Sequence, residues 1–182
     1  MQKRGAIELS MNVLVIIILS LVILAGGITL LYKFIGGAED VKQVLDERTN
    51  DELERLLVDQ GKQVALPLHT ASVLRGESHV FGIGILNVGR SGTEFKLDIH
   101  LAKVIDEQER DLTAQIDKAA VERWLLYKTT SIILDENEHT KESILVKVAA
   151  DAFKGQYIFD AKVVYANGEQ YGNIQKFIVD VT

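Results

Sequence analysis

His79–Val88 reads HVFGIGILNV, and within it Phe81, Ile83 and Ile85 recur at every second position. Side chains alternate between the two faces of a strand, so this run predicts a half-buried strand with one apolar face. Phe95, Leu97, Ile99 and Leu101 repeat the pattern. Working outward, Ser131–Leu134, Ser143–Val148, Tyr157–Tyr165 and Lys176–Val181 are further strand candidates. Asn167-Gly168 lies between the last two, and Asn-Gly is a strong hairpin signal. Leu112–Leu126 is richer in Ala, Gln, Lys and Glu, and its Ile116, Ala120 and Trp124 are spaced by four, which predicts an inserted helix. Short strands separated by turn residues predict a sandwich of two antiparallel sheets over 61–182.

Upstream the period changes. Val41, Val44, Leu45, Leu53, Leu56 and Leu57 recur mostly at intervals of three and four among charged residues, predicting an amphipathic stem helix over Ala38–Gln60 with Gly61 as its stop. Such a stem is either a solvated stalk or a helix that packs on its own domain or on neighbouring copies. The single proline, Pro67, sits where helix gives way to strands.

Further upstream, Met11–Leu31 reads MNVLVIIILSLVILAGGITLL, twenty-one residues without a charge. As a helix it would reach roughly 32 Å, against about 30 Å of bilayer hydrocarbon. A secretory signal has a shorter apolar region followed by a cleavage site, whereas here the run continues past Ala25-Gly26-Gly27 through Ile28, Leu30 and Leu31. Lys3 and Arg4 precede it and the acidic pair Glu39-Asp40 follows, so the basic flank stays cytoplasmic and the C-terminal domain lies outside. The resulting fold class is α+β: a long N-terminal hydrophobic helix followed by an antiparallel β-sandwich with one inserted helix.

Charge and composition exclude several functions. Removing Lys3 and Arg4 from the 20 basic residues leaves 18 against 26 acidic ones, and such a domain repels phosphate backbones, so nucleic acid is not an expected partner. There is no cysteine for a disulfide or thiolate metal site, and none of His69, His79, His100 and His139 forms a close ligand pair. Glu136, Glu138 and His139 read as a polar turn, and Asp106–Asp111 as a solvated loop without calcium-ligand spacing. Gly82-x-Gly84 precedes no helix and is no dinucleotide loop. No nucleophile context occurs. No cofactor, metal or catalytic residue is expected, and the chain is not expected to be an enzyme.

The junction Lys3-Arg4-Gly5-Ala6-Ile7-Glu8-Leu9-Ser10 carries a more specific signal. A short basic leader ending in glycine and running directly into an apolar segment resembles the class III signal peptide of archaeal type IV pilin-like proteins. The resemblance covers about the first thirty-five residues. It implies cleavage by a prepilin-type peptidase between Gly5 and Ala6, with Lys3 and Arg4 as recognition pair and 1–5 as leader. Residues 6–60 then form the transmembrane and assembly helix with its stem, with Glu8, Val13, Ile17, Leu21, Ile23, Gly26 and Gly27 as the assembly-helix residues; Glu8 either pairs with the new amino group of Ala6 on a neighbouring copy or sits among lipid headgroups. Bacterial pilins carry glutamate at the fifth mature position, whereas Glu8 would be third, which leans the pattern towards archaea. The head would resemble the immunoglobulin-like sandwiches of archaellins and archaellum stator subunits. The implied function is a structural subunit of an extracellular filament, homo-oligomeric through its N-terminal helix. The alternative is a single-pass, stator-like or envelope-linking module that does not polymerise and whose sandwich grips a surface-layer protein.

Overall fold

Alternating apolar residues build nine strands among the residues that the computed structural model describes, 15–24 and 45–182. The chain divides into two units, Met1–Asp40 and Val41–Thr182. In the first, residues 15–24 form helix α1. The second opens with α2 (Glu47–Glu54), capped by Asp46, and a π-helical turn, Arg55–Asp59. Strands β1 (Val64–Ala65), β2 (Thr70–Val73), β3 (Ser78–Leu86) and β4 (Thr93–Ile105) follow. Helix α3 (Lys118–Glu122) precedes β5 (Leu125–Leu126), β6 (Ile132–Leu134), β7 (His139–Lys147), β8 (Gly155–Tyr165) and β9 (Gln170–Val181).

The strands form two sheets ordered β1-β3-β7-β5 and β2-β9-β8-β4-β6. The chain leaves the first sheet after β1 and enters the second at β2, an arrangement that makes this an immunoglobulin-like β-sandwich. Phe81, Ile83 and Ile85 of β3 point inward as their spacing predicts, against Phe95, Leu97, Phe159 and Phe177 of the other sheet. Phe177 is the hub, 4.7 Å from Phe81 and 5.1 Å from Phe159 between ring centroids. The Asn167-Gly168 hairpin joins β8 to β9, with Gly168 at φ 86° and the Asn167 side chain accepting from the Glu169 amide.

Four expectations need correction. The protein is mainly β rather than α+β, and no helix among the described residues is long and apolar enough to cross a membrane. Leu112–Leu126 is not one helix: Asp117 caps a fresh start at Lys118, only five residues are helical, and Leu125 and Leu126 are drawn into the sheet beside β7. Nor is the sandwich wholly antiparallel, because β2 runs parallel to β9, the consequence of the chain switching sheets.

The stem packs on its own domain. On β3 the residues between the inward ones face outward, and two of them are Gly82 and Gly84. Their missing side chains leave a shallow track that α2 and the π turn occupy. A Cβ at Gly82 would lie 2.8 Å from Thr49 and 3.1 Å from Leu45 and Leu53; one at Gly84 would lie 2.5 Å from Leu57. Leu45, Leu53, Leu56 and Leu57 thereby join Ala65 and Leu86 in a second core outside the sandwich. Burying such side chains is worth about 1.5–3 kcal/mol each.

Candidate functional sites

Of the residues expected to mediate assembly, those within the described chain lie on helix α1. Ile17, Leu21 and Ile23 are 49%, 59% and 66% exposed, and every other large apolar side chain from Val15 to Leu24 is as open. Ile17 and Leu21, four residues apart, share one helix face, while Ile23 lies on another. The single hydroxyl, Ser20, donates to the Ile16 carbonyl at 2.8 Å, so this helix presents no unspent polar side chain to an apolar surrounding. Lys3, Arg4, Gly5, Ala6, Glu8, Val13, Gly26 and Gly27 lie outside the described residues.

In the head, the outer apolar face of the first sheet and part of the β4 edge are covered by the chain itself. Ion pairs fasten α2 across the first sheet: Glu54 accepts from Lys141 at 2.6 Å and from His139 at 3.2 Å, and Lys141 also donates to the Asn50 carbonyl at 3.1 Å. The Lys141 hydrogen bond, foremost among these contacts, holds the Glu54 carboxyl below its ordinary pKa. Beyond the three residues that pair with β6, the edge of β4 is capped by side chains. Glu122 accepts from the Leu101 amide at 3.0 Å, and Thr113 from the Val104 amide at 2.9 Å. Capped edges resist strand-to-strand association.

One end of the sandwich is tied together by Asn87, the buried polar residue of the described chain. Its amide donates to the carbonyls of Arg90, Leu134 and Asp135, and its oxygen accepts from the Gly89 amide. Nearby, the Tyr171 hydroxyl donates to the Leu86 carbonyl at 2.6 Å and accepts from the Val88 amide, tying β9 to the end of β3. The loop expected over Asp106–Asp111 is closed by Asp106. Burial pushes that carboxyl's pKa up, but hydrogen bonds from Arg110 and Gln108 more than offset this and leave it lowered. His139 turns towards Glu54 rather than Glu136 or Glu138. Among the described residues no three His, Asp or Glu side chains are grouped to hold a metal ion.

Two concavities remain. A groove of about 280 Å³ runs beside Trp124, whose ring packs 4.9 Å from Tyr157, with Phe153 exposed at its rim. The larger cleft, about 520 Å³, opens between the π turn, the approach to β1, and β9. Two backbone irregularities shape it. The π turn replaces an i+4 bond with one from the Gln60 amide to the Arg55 carbonyl, 3.1 Å. On β9, three residues, 172–174, stand opposite one on β8, an enlarged bulge whose Gly172 has φ 64° and abuts Val64. The bulge brings Asn173 and Gln175 to the cleft opposite Gln60, Lys62 and Gln63. Sequence reasoning missed these five residues, which two segments more than a hundred positions apart bring together.

No family model and no curated protein matches the chain. Among solved structures it is similar to the PapD-like domain 7 of human CEP192, with 14% identity over 66% of this chain and 86% of that one, TM-score 0.46. It is also similar to the GspB Siglec domain, with 17% identity over 65% and 56%, TM-score 0.41. A family 123 glycoside hydrolase from Clostridium perfringens matches with 13% identity and TM-score 0.44 over 63% of this chain. The chain spans about a quarter of that hydrolase.

Proposed function

We propose that the chain is a pilin-like structural subunit of archaeal type, inserted in the membrane through its uncharged segment Met11–Leu31 and assembled through that segment into a surface filament. The observation that carries this reading is the distribution of exposed apolar surface. Of seventeen exposed large hydrophobic side chains among the described residues, nine fall consecutively within Val15–Leu24 and cover the whole circumference of α1. The other eight are scattered over the head. A contiguous apolar surface of this kind marks a contact with lipid or with other chains. The head supports the same division of labour, since its second apolar face is occupied by α2 and its β4 edge is capped, which leaves association to the N-terminal segment.

Lys3 and Arg4 give the topology, and Gly5-Ala6 the processing point. The test is expression in an archaeal host with a prepilin-type peptidase, followed by shearing, electron microscopy and mass spectrometry of the N-terminus. Filaments whose subunits begin at Ala6 are expected, and Gly5→Leu should retain the leader and abolish them. An Ala6 terminus in that variant would remove the processing assignment; intact subunits solubilised singly by detergent from both strains would remove the filament.

A second reading, a membrane-anchored binding module that does not polymerise, is favoured by the polar cleft, because a purely structural subunit needs no concave site of this size. Its mark would be a protein that detergent extracts as a monomer or small oligomer while a surface-layer protein comes with it.

A further inference from the structure

We infer that the cleft between the π turn, β1 and the β9 bulge is a binding site for an acidic saccharide. Ligand sites are concave, typically about 300–1,000 Å³, and combine apolar walls with a few convergent polar groups. This cleft, of about 520 Å³, presents mainly polar surface, with the amide side chains of Gln60, Gln63 and Asn173 beside the apolar Val64, Leu66 and Pro67. The side chains of Gln60, Gln63 and Asn173 make no hydrogen bond to any described residue. Each amide offers a carbonyl acceptor and two N–H donors, which matches hydroxyl groups that both give and take hydrogen bonds.

The charges add a requirement. Arg55 is spent on Glu52, which it grips with two guanidinium nitrogens. Lys62 makes no direct ion pair among the described residues, and, behind the Arg55 hydrogen bond, its charge contributes to lowering the Glu52 pKa at the same cleft. His69 Nδ1 lies 2.8 Å from the Lys176 carbonyl, so it donates there and leaves Nε2 available. One ammonium held in no direct ion pair, set among neutral amides, suits a ligand that is mainly hydroxylated and carries a carboxylate. Strand addition by a peptide is not served here: β1 is two residues long, and the Gln175 amide already lies 3.4 Å from its Val64 carbonyl.

Both backbone irregularities of this region border the cleft. Bulges and π turns are conformations that recur next to functional sites. The site is independent of polymerisation, so its failure and the failure of the filament reading are separate results.

The experiment is calorimetric titration of the full chain in lipid nanodiscs with tri-galacturonic acid, maltotriose and tripolyphosphate. Saturable binding of tri-galacturonic acid is expected, at least tenfold tighter than maltotriose. Lys62→Ala should erase that preference, and Gln63→Ala should weaken tri-galacturonic acid binding about tenfold. Both side chains are exposed, so the variants should melt with the parent, which circular dichroism checks. Absence of saturable tri-galacturonic acid binding, or binding that both variants leave unchanged, overturns the proposal. Tripolyphosphate competing at equal concentration also overturns it, since that would be simple anion attraction.

Discussion

Asn87 and His79 sit near opposite ends of β3 and test two different debts of burial. The Asn87 amide faces three carbonyl oxygens, so a donor is obligatory there. Asn87→Ala leaves buried acceptors unpaired and should cost about 2–3 kcal/mol. Asn87→Asp, nearly identical in shape, places a carboxylate among those oxygens and should cost more at pH 7 than Ala does; urea midpoints of the two variants would decide it, and the reverse order would refute the role of donation. His79 has its ring 4.9 Å from Phe81 and its Nε2 buried without a hydrogen-bond partner. Burial pushes its pKa below the ordinary 6.5. The folded state therefore keeps the ring neutral while the unfolded chain takes up a proton below about pH 6.5. Stability from this group is complete above that pH and falls as pH drops towards the lowered folded value. His79→Leu should flatten the slope of stability between pH 7.5 and 5.5; an unchanged slope would locate the acid sensitivity elsewhere.

At the scale of elements, the α2 track on β3 is the least conventional feature and the most testable. Gly84→Val inserts a branched side chain where even a Cβ would meet Leu57 at 2.5 Å, so the helix must lift or β3 must bend. A loss of about 1–3 kcal/mol is expected from overpacking, with the helix amides gaining hydrogen exchange before the sheet amides do. Leu53→Ala should cost about 2–5 kcal/mol by emptying the same interface. If Gly84→Val left helix exchange unaltered, the track would not be what seats the helix. Much of this architecture was legible. Period-two alternation marked β3 and β4, the Asn-Gly pair marked the last hairpin, and the three-four spacing of Leu53, Leu56 and Leu57 marked the stem. The function of Gly82 and Gly84 was not, because a strand glycine reads equally as weakness, bulge or close approach until the helix above it is known. Ile116, Ala120 and Trp124 misled in the opposite sense: spacing by four suits one helix face, but only Ala120 lies in α3, and the other two reach the core from its flanks. The cleft was invisible for a third reason, since its residues come from segments more than a hundred positions apart and depend on a bulge that no local pattern announces.

For the whole molecule, the proposed function turns on whether α1 meets lipid or other copies of the chain. Lipid and a filament core are both apolar, but they differ in order. Lipid chains are fluid and accept any side chain of sufficient hydrophobicity, whereas helices packed side by side meet at fixed van der Waals contacts and tolerate added volume poorly. Ile17 and Leu21 share one face, and Ile23 lies on another. Replacing Ile17 and Leu21 together by Phe keeps the segment apolar and uncharged, so the protein should still sediment with membranes in full yield. Added volume in a packed interface typically costs about 1–3 kcal/mol per site, and a filament repeats that penalty at every subunit. The double variant should therefore insert normally and fail to polymerise, while Ile23→Phe reports whether the second face is packed as well. Ile17→Lys with Leu21→Lys is the necessary contrast, because two charges at this depth oppose insertion itself, by about 2.5–3.5 kcal/mol each on the insertion scale. Sheared fractions and membrane pellets from the same cells separate the two effects. Filaments formed normally by the Phe variant would mean that α1 faces lipid rather than its own kind, and the chain would then be an anchored module whose head works alone.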